Sequence, residues 1–216
     1  MTDSHSEKKA KGPLTDLRII ELGQLIAGPF CGQLMADMGA DVIKIEPPEI
    51  GDPMRVWGRG DYPLWWTVCA RNKRCVTANL REPEGQDLAR KLIAQADMVI
   101  ENFRPGTMER WGLGYEELKK IRPDVVYVSM AGFGQTGRQH YFGTMGPAAQ
   151  ALSGLTHQSG LPGEPPAGWG WSYLDDTGGM YGAMCVLTAL RHRNHTGQGQ
   201  HVDLSQMITG ITLTGT

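Results

Sequence analysis

Residues 17–46, LRIIELGQLIAGPFCGQLMADMGADVIKIE, decide the fold class of this chain. Two short β-rich runs, 17–22 and 41–46, flank residues 29–38, where apolar side chains recur at helical spacing. A strand, a helix and a second strand in this order are typical of a βαβ unit in a parallel sheet. We therefore predict an α/β fold for this stretch.

The same alternation of strands and helices continues along the rest of the sequence. Residues 131–171 interrupt it, because they are rich in glycine, proline and serine and predict a long loop of the kind that is often functional. Ser205 is expected to cap a last helix. The other predicted elements are strands at 75–78, 98–101, 125–130 and 201–204, and helices at 83–96, 115–121 and about 177–192.

The composition is that of an ordinary globular chain of one main domain. It has 216 residues, of which 40% are hydrophobic and 20% charged, and no run approaches the roughly 20 apolar residues of a membrane span. A formal charge of −2 with interspersed signs argues against nucleic-acid or membrane binding. Residues 1–13 contain no signal-like apolar core, so we expect a disordered tail on a cytoplasmic protein. The four cysteines show neither disulfide nor zinc spacing.

One motif suggests a dinucleotide site but lacks the necessary context. Gly132, Gly134 and Gly137 form a GxGxxG pattern after a predicted strand. No helix is predicted directly after it, and no acidic residue ends a second strand at the required distance. We therefore do not expect NAD binding. The pair His192 and His195 lacks further ligands for a metal site, so no metal is expected.

Asp175 and Asp176 lie where the glycine- and tryptophan-rich loop meets the long predicted helix. Either carboxylate could cap the helix by accepting backbone N–H bonds. Alternatively, a carboxylate held at a helix N-terminus stays ionised and can act as a nucleophile on a carbonyl carbon. The two roles are compatible. Among the histidines, His140 in the loop is the candidate for acid–base chemistry.

Several motifs together resemble one known family, the family III (CaiB/BaiF-type) coenzyme A transferases. They follow the order of that family and cover most of the chain from Leu14 to Ser205. The matching segments are IAGPFCGQLMADMGADVIKIE (26–46), GDPMR (51–55), NKR (72–74), ENFRPG (101–106) and the region from Arg193 through TGQGQHVDLS (196–205).

The resemblance implies a fold, an assembly and an activity. The fold is a Rossmann-like parallel sheet with helices on both faces, and residues 14–216 would be the N-terminal part of the CoA-binding, catalytic large domain. The C-terminal part and a glycine-rich loop over the active site would lie beyond Thr216. The chain would form interlocked dimers, as a homodimer or with a related chain. Family members exchange CoA between an acyl-CoA and a free carboxylic acid.

The resemblance also assigns the reacting group. Asp175 stands where the family has its catalytic aspartate, which forms an acyl anhydride and then an aspartyl-CoA thioester. Such an exchange needs no ATP, metal or permanently bound cofactor, since CoA enters as part of the acyl-CoA substrate. Its main demands are positioning and exclusion of water.

The CoA site carries over by position within the matching motifs. The arginines in this set would supply cations for the phosphates of CoA, although each could equally be a solvated surface residue. The residues implied are Ile26, Ala27, Pro47, Ala78, Asn79, Leu80, Arg81, Asn102, Phe103, Arg104 and Arg110.

Departures from the family pattern limit the substrate and leave two alternatives. Ile26, Pro47 and Gly143 stand where formyl-CoA transferases carry polar or basic residues, which favours an acid larger than formate or oxalate. A 2-methylacyl-CoA racemase is the first alternative, but residues 144–147 lack the histidine that it requires and His140 lies too far upstream. The second alternative is a non-catalytic CoA-binding subunit of a heterodimer.

Overall fold

The computed structural model describes residues 12–58, 63–170 and 172–215. The predicted tail therefore falls outside the described residues except for its last two positions. Of these, Gly12 accepts a hydrogen bond from the side chain of Thr15 through its carbonyl oxygen at 2.6 Å.

The strands form one sheet of six parallel strands, as predicted. Their order is β3-β2-β1-β4-β5-β6, so the direction of progression reverses between β1 and β4. In open parallel sheets a crevice for ligands lies at the carboxyl ends of the strands at this point. The strands are β1 (Arg18–Glu21), β2 (Asp41–Glu46), β3 (Lys73–Thr77), β4 (Met98–Glu101), β5 (Val126–Ala131) and β6 (Gln200–Ser205).

Helices cover both faces of the sheet, which confirms the predicted fold class. A short 3-10 helix, Pro53–Val56, follows β2. The α-helices in the described residues are α1 (Ala27–Asp37), α2 (Leu64–Cys69), α3 (Pro83–Ile93), α4 (Thr107–Arg110), α5 (Tyr115–Ile121), α6 (Gly146–Leu152), α7 (Tyr173–Thr196) and α8 (Gln206–Thr212). None of these helices is long and apolar enough to cross a membrane.

Two hydrophobic cores result from the alternation of side chains along each strand. In β1, Ile19 points into a core shared with α1 and α7, whereas Ile20 belongs to the core beneath α3 and α5. Every residue of β5 is buried, as expected for a strand inside a parallel sheet that is covered on both faces. The two cores lie on the two faces of the sheet, and the connecting loops lie at its carboxyl edge.

The structure corrects several predicted boundaries. The region 131–171 is not a continuous loop, because it contains α6, whose start at Gly146 and Pro147 gives it a loop-like composition. Proline suits the first turn of a helix, where its missing N–H is not needed. Helix α7 begins at Tyr173 rather than at 177. The cap predicted for the last helix is confirmed, since the Ser205 hydroxyl accepts a bond from the backbone N–H of Ile208 at 3.4 Å.

Candidate active site

A cavity of about 620 Å³ opens at the carboxyl edge of the sheet, beside the point where the strand order reverses. Loops after β1, β4 and β5 form its walls, and the starts of α6, α7 and α8 complete them. The lining residues are 25–27, 102–105, 130–132 and 142–148, together with Trp57, Asp175 and Gln206.

Asp175 is the carboxylate of this cavity. It is the third residue of α7, and the side-chain amide of Gln206 donates to its Oδ1 at 2.6 Å. Burial raises the pKa of Asp175 to about 6, and the neighbouring Asp176 adds to the rise. Hydrogen bonding from Gln206 and from the backbone N–H of Gly146 opposes it. Among the described residues, no lysine, arginine or histidine forms an ion pair with Asp175.

The structure corrects the capping interpretation of the two aspartates. Ser172 occupies the N-cap position of α7, so that Asp175 and Asp176 both lie in the first turn. Asp176 accepts a bond from the Ser172 hydroxyl at 3.1 Å and does not line the cavity. Burial raises its pKa too. Position in the helix therefore does not separate the two side chains, but access to the cavity does.

A reciprocal pair of hydrogen bonds joins the loops on either side of the crevice. The backbone N–H of Gln24 donates to the Asn102 side-chain oxygen at 2.8 Å, and the Asn102 amide donates to the Gln24 carbonyl at 2.9 Å. The next residue, Leu25, has a positive φ of 62°, and its N–H donates to the carboxylate of Asp52 at 3.2 Å. These contacts fix the backbone that leads into Ile26 and Ala27.

A buried charge cluster of Glu21, Lys44, Asp52 and Lys73 lies beneath this loop. Lys44 Nζ is 2.9 Å from both Glu21 Oε1 and Asp52 Oδ2, and Lys73 Nζ is 2.7 Å from Glu21 Oε2. Burial alone would lower the pKa of Lys44, but the two carboxylates outweigh it and raise that pKa. Lys44 and Lys73 also donate to the carbonyls of Gly23 and Pro29 at 2.6 Å, which ties the loop to the cluster.

The GxGxxG motif has a structural role here. The carbonyl of Gly132 accepts bonds from the Ser205 hydroxyl and from the N–H of Met207, both at 3.0 Å. The N–H of Gln135 donates to Asp203 Oδ1 at 2.8 Å. As predicted, no helix follows the motif directly, since α6 begins only at Gly146. The motif thus anchors the start of α8, where Gln206 lies.

The predicted site residues fall into two groups. Ile26, Ala27, Asn102, Phe103 and Arg104 line the cavity together with Asp175. The remaining predicted residues do not line it. Pro47 follows β2 and residues 78–81 follow β3, at the same edge of the sheet, while Arg110 lies exposed at the end of α4 and donates to Thr107 at 3.0 Å.

Gln206 and the buried charge cluster were not predicted from the sequence. Lys44 offered a signal, because it is a charged residue between two isoleucines in the middle of β2. Gln206 offered none, since its contact with Asp175 joins residues 31 positions apart.

The histidines of the described region do not line the cavity. His140, the predicted acid–base candidate, is partly buried, and its Nδ1 lies 2.7 Å from the Gly137 carbonyl. Within residues 12–58, 63–170 and 172–215, no group of three or more histidine, cysteine or acidic side chains is arranged to hold a metal ion.

Comparisons with known proteins agree with this geometry. The model of a family described as CoA-transferase family III matches residues 14–216. The chain is 48% identical to succinyl-CoA–D-citramalate CoA-transferase of Chloroflexus aurantiacus, over 92% of this chain and 50% of that protein. It is 44% identical to the beta subunit of succinyl-CoA–L-malate CoA-transferase of the same organism, over 88% of this chain and 48% of that subunit.

A solved structure gives the same result for the fold. A CaiB/BaiF family protein from Brucella suis superposes with a TM-score of 0.91 at 37% identity, over 95% of this chain and 56% of that one. The chain therefore spans about half the length of the relatives that it matches.

Proposed function

The chain belongs to CoA-transferase family III, and from this premise we propose that it exchanges CoA between an acyl-CoA and a free carboxylic acid. The observation that carries the proposal is Asp175, a carboxylate that reaches the cavity without a cationic partner among the described residues. Its pKa of about 6 leaves it ionised at neutral pH. An ionised carboxylate with access to a substrate cavity can attack a thioester carbonyl.

The proposed reaction proceeds through two covalent forms of Asp175. Its carboxylate attacks the acyl thioester, the carbon–sulfur bond breaks, and CoA leaves as a thiolate from a mixed anhydride. The thiolate then attacks the aspartyl carbonyl and releases the donor acid, which leaves an aspartyl-CoA thioester. The acceptor carboxylate attacks this thioester to form a second anhydride, and attack by the thiolate on the acceptor carbonyl regenerates Asp175. Each step exchanges one activated acyl bond for another.

The loops of the crevice are proposed to hold CoA. Ile26 and Ala27 would contact the pantetheine and diphosphate, together with Asn102 and Phe103, which line the same cavity. Arg104 is exposed at the rim, where its guanidinium can reach a phosphate.

The outer part of the CoA molecule is assigned to the neighbouring loops of the same sheet edge. Pro47 and residues 78–81 are proposed to border the nucleotide beyond the cavity. Arg81 and Arg110 are exposed and would add cations for the phosphates.

The donor is proposed to be succinyl-CoA and the acceptor a dicarboxylic acid larger than oxalate. Support comes from the two Chloroflexus relatives, both of which are named for succinyl-CoA as donor. The departures at Ile26, Pro47 and Gly143 agree with a larger acid. We further propose a cytoplasmic dimer. The relative that is named as a beta subunit supports pairing with a related chain as the alternative to a homodimer.

A matched pair of variants tests the activity. Succinyl-CoA is incubated with a panel of acids that includes citramalate, malate, glutarate and oxalate, and new CoA esters are measured by mass spectrometry. Asp175→Asn is expected to reduce the exchange at least about 10³-fold, because the nucleophile is lost. Asp176→Asn, one residue away but outside the cavity, should retain activity at neutral pH. Full exchange by Asp175→Asn would refute the proposal.

The same experiment addresses the two alternatives. A racemase would incorporate deuterium from solvent at the α-carbon of a 2-methylacyl-CoA without transferring CoA. A non-catalytic subunit would bind CoA but show neither reaction until a partner chain is added.

A further inference from the structure

Gln206 is held firmly against the reacting carboxylate. Its side chain is 5% exposed, and its amide nitrogen lies 2.6 Å from Asp175 Oδ1. Position 178, almost one turn further along α7 from Asp175, is glycine, and a Cβ there would come within 3.2 Å of the Gln206 side chain. Ser205, the cap of α8, is itself fixed on the carbonyl of Gly132. The contact between Gln206 and Asp175 is thus fixed by α7, by α8 and by the loop after β5.

A neutral donor in this place differs from a cation. A lysine or arginine at the same distance would hold the pKa of Asp175 low and weaken it as a nucleophile. An amide N–H instead donates a hydrogen bond to one oxygen and leaves the negative charge of the carboxylate in place. Since Oδ1 is occupied by Gln206, Oδ2 is the oxygen left to attack the thioester.

We propose that Gln206 acts as an oxyanion donor in the steps in which the carbonyl carbon of Asp175 is itself attacked. This inference rests on the proposed function. When the CoA thiolate attacks the aspartyl anhydride, or the acceptor carboxylate attacks the aspartyl-CoA thioester, Oδ1 takes up the negative charge of the tetrahedral intermediate. The Gln206 N–H already points at that oxygen, and it strengthens its bond as the charge develops. When the intermediate collapses, the electron pair returns to the carbonyl and expels the acid or the thiolate.

The backbone N–H of Gly146 also favours the ionised form of the Asp175 carboxylate. It hydrogen-bonds the Asp175 carboxylate from the start of α6, whereas Gln206 approaches from α8. Gln206 is the donor that the structure fixes on Oδ1, and a preorganised N–H group of this kind stabilises an oxyanion in acyl transfer. The structure therefore assigns the oxyanion site to the aspartate of the protein, in addition to any such site for the substrate carbonyl.

The decay of the covalent intermediate tests the proposal. The protein is incubated with succinyl-CoA, excess acyl-CoA is removed, and loss of the aspartyl-CoA adduct after addition of a dicarboxylate is followed by intact mass. In Gln206→Leu the adduct is expected to form more slowly, because its formation also requires attack on the aspartyl carbonyl. Once formed, it should decay about 10²-fold more slowly than in wild type. Ile208→Ala, on the exposed side of the same short helix at 57% exposure, should decay at the wild-type rate.

A second variant decides the case in which Gln206→Leu fails to fold or to form the adduct. In Gln206→Glu the side chain can donate only when it is protonated. The decay rate should therefore rise as pH falls through the titration of that glutamate, whereas wild type shows no such rise. A merely structural role for Gln206 would not produce this pH dependence.

The outcomes separate the two proposals. Wild-type decay in Gln206→Leu, or decay in Gln206→Glu that does not rise at low pH, would overturn the role of Gln206 while leaving CoA transfer through Asp175 intact. If wild type itself forms no adduct on Asp175 although it transfers CoA, both the proposed route and this role are wrong.

Discussion

The buried charge cluster and Asp175 are two ways in which this chain places carboxylates at one edge of one sheet. In the cluster, Glu21 and Asp52 have no exposed surface and meet the ammonium group of Lys44 at 2.9 Å. Asp175 is only half-buried, reaches a cavity and meets amide groups instead of cations. The first arrangement fixes carboxylates for structure, and the second leaves one available for reaction.

The cluster and Asp175 differ in the groups that compensate the hydration lost by a buried carboxylate. Buried carboxylates lose hydration, and a cation restores the charged state at the expense of reactivity. Neutral donors compensate less, which is why the pKa of Asp175 stays raised. The contrast predicts that damage to the cluster acts through stability, whereas damage at Asp175 acts through chemistry.

Removing the central cation of the cluster should give the largest effect on stability. Lys44→Met leaves the carboxylates of Glu21 and Asp52 buried without this partner, and we expect a loss of about 3–5 kcal/mol in the free energy of unfolding. Chemical denaturation of the purified protein measures it. Lys120→Met, whose side chain is 69% exposed beside Glu117, is the matched control and should cost less than about 1 kcal/mol. Equal losses in both variants would contradict the assigned role of the cluster.

Glu101 is an intermediate case that sharpens the comparison, because it is buried, has no cationic partner in the described part of the chain and does not line the cavity. Burial raises its pKa from 4.5 to about 7, although bonds from Ser129 and the N–H of Phe103 oppose the rise. Since the folded protein holds this proton more tightly than the unfolded chain, the associated stability is present below pH 4.5 and is lost as pH rises through about 7.

The variant Glu101→Gln should remove that pH dependence. The loss of stability between about pH 5 and pH 8, roughly 3 kcal/mol at most for this group, should shrink in the variant. Denaturation at both pH values measures it, with the exposed Glu117→Gln as the control. An unchanged pH dependence would mean that Glu101 keeps an ordinary pKa.

The smallest expected effect is the titration of Asp175 itself. Protonation removes the nucleophile, so kcat/KM for the acyl-CoA should fall about tenfold per pH unit below about 6. Because Asp176 contributes to the raised pKa, Asp176→Asn should move this acid limb to lower pH. A kcat/KM that stays constant down to about pH 4.5 in wild type would contradict the environment described for Asp175.

The sequence predicted the sheet well because its signals are local. The strands 41–46 and 98–101 are found with the predicted bounds, since short apolar runs between turn residues leave little choice of structure. Helix α6 was missed because its opening Gly146 and Pro147 are typical of turns, and only packing against α7 and α8 makes it a helix. Boundaries that depend on tertiary contacts are not visible in a local pattern.

The site was predictable only where a motif marked it. The resemblance to the family named Asp175 and the loops that line the cavity, but it implied no role for Gln206. That contact forms only once β6 has paired with β5 and placed the start of α8 beside α7. Likewise, the sequence could not tell that burial raises the pKa of Asp175, because burial depends on the assembled walls of the cavity.

Trapping the acyl-enzyme tests the central claim most directly. The protein is incubated with succinyl-CoA and hydroxylamine, digested, and mapped by tandem mass spectrometry. If Asp175 forms an activated ester, hydroxylamine converts it to a hydroxamate on Asp175, whereas Asp176, Glu21 and Asp52 remain unmodified. A hydroxamate on another carboxylate, or CoA exchange with Asp175 unmodified, would contradict the account.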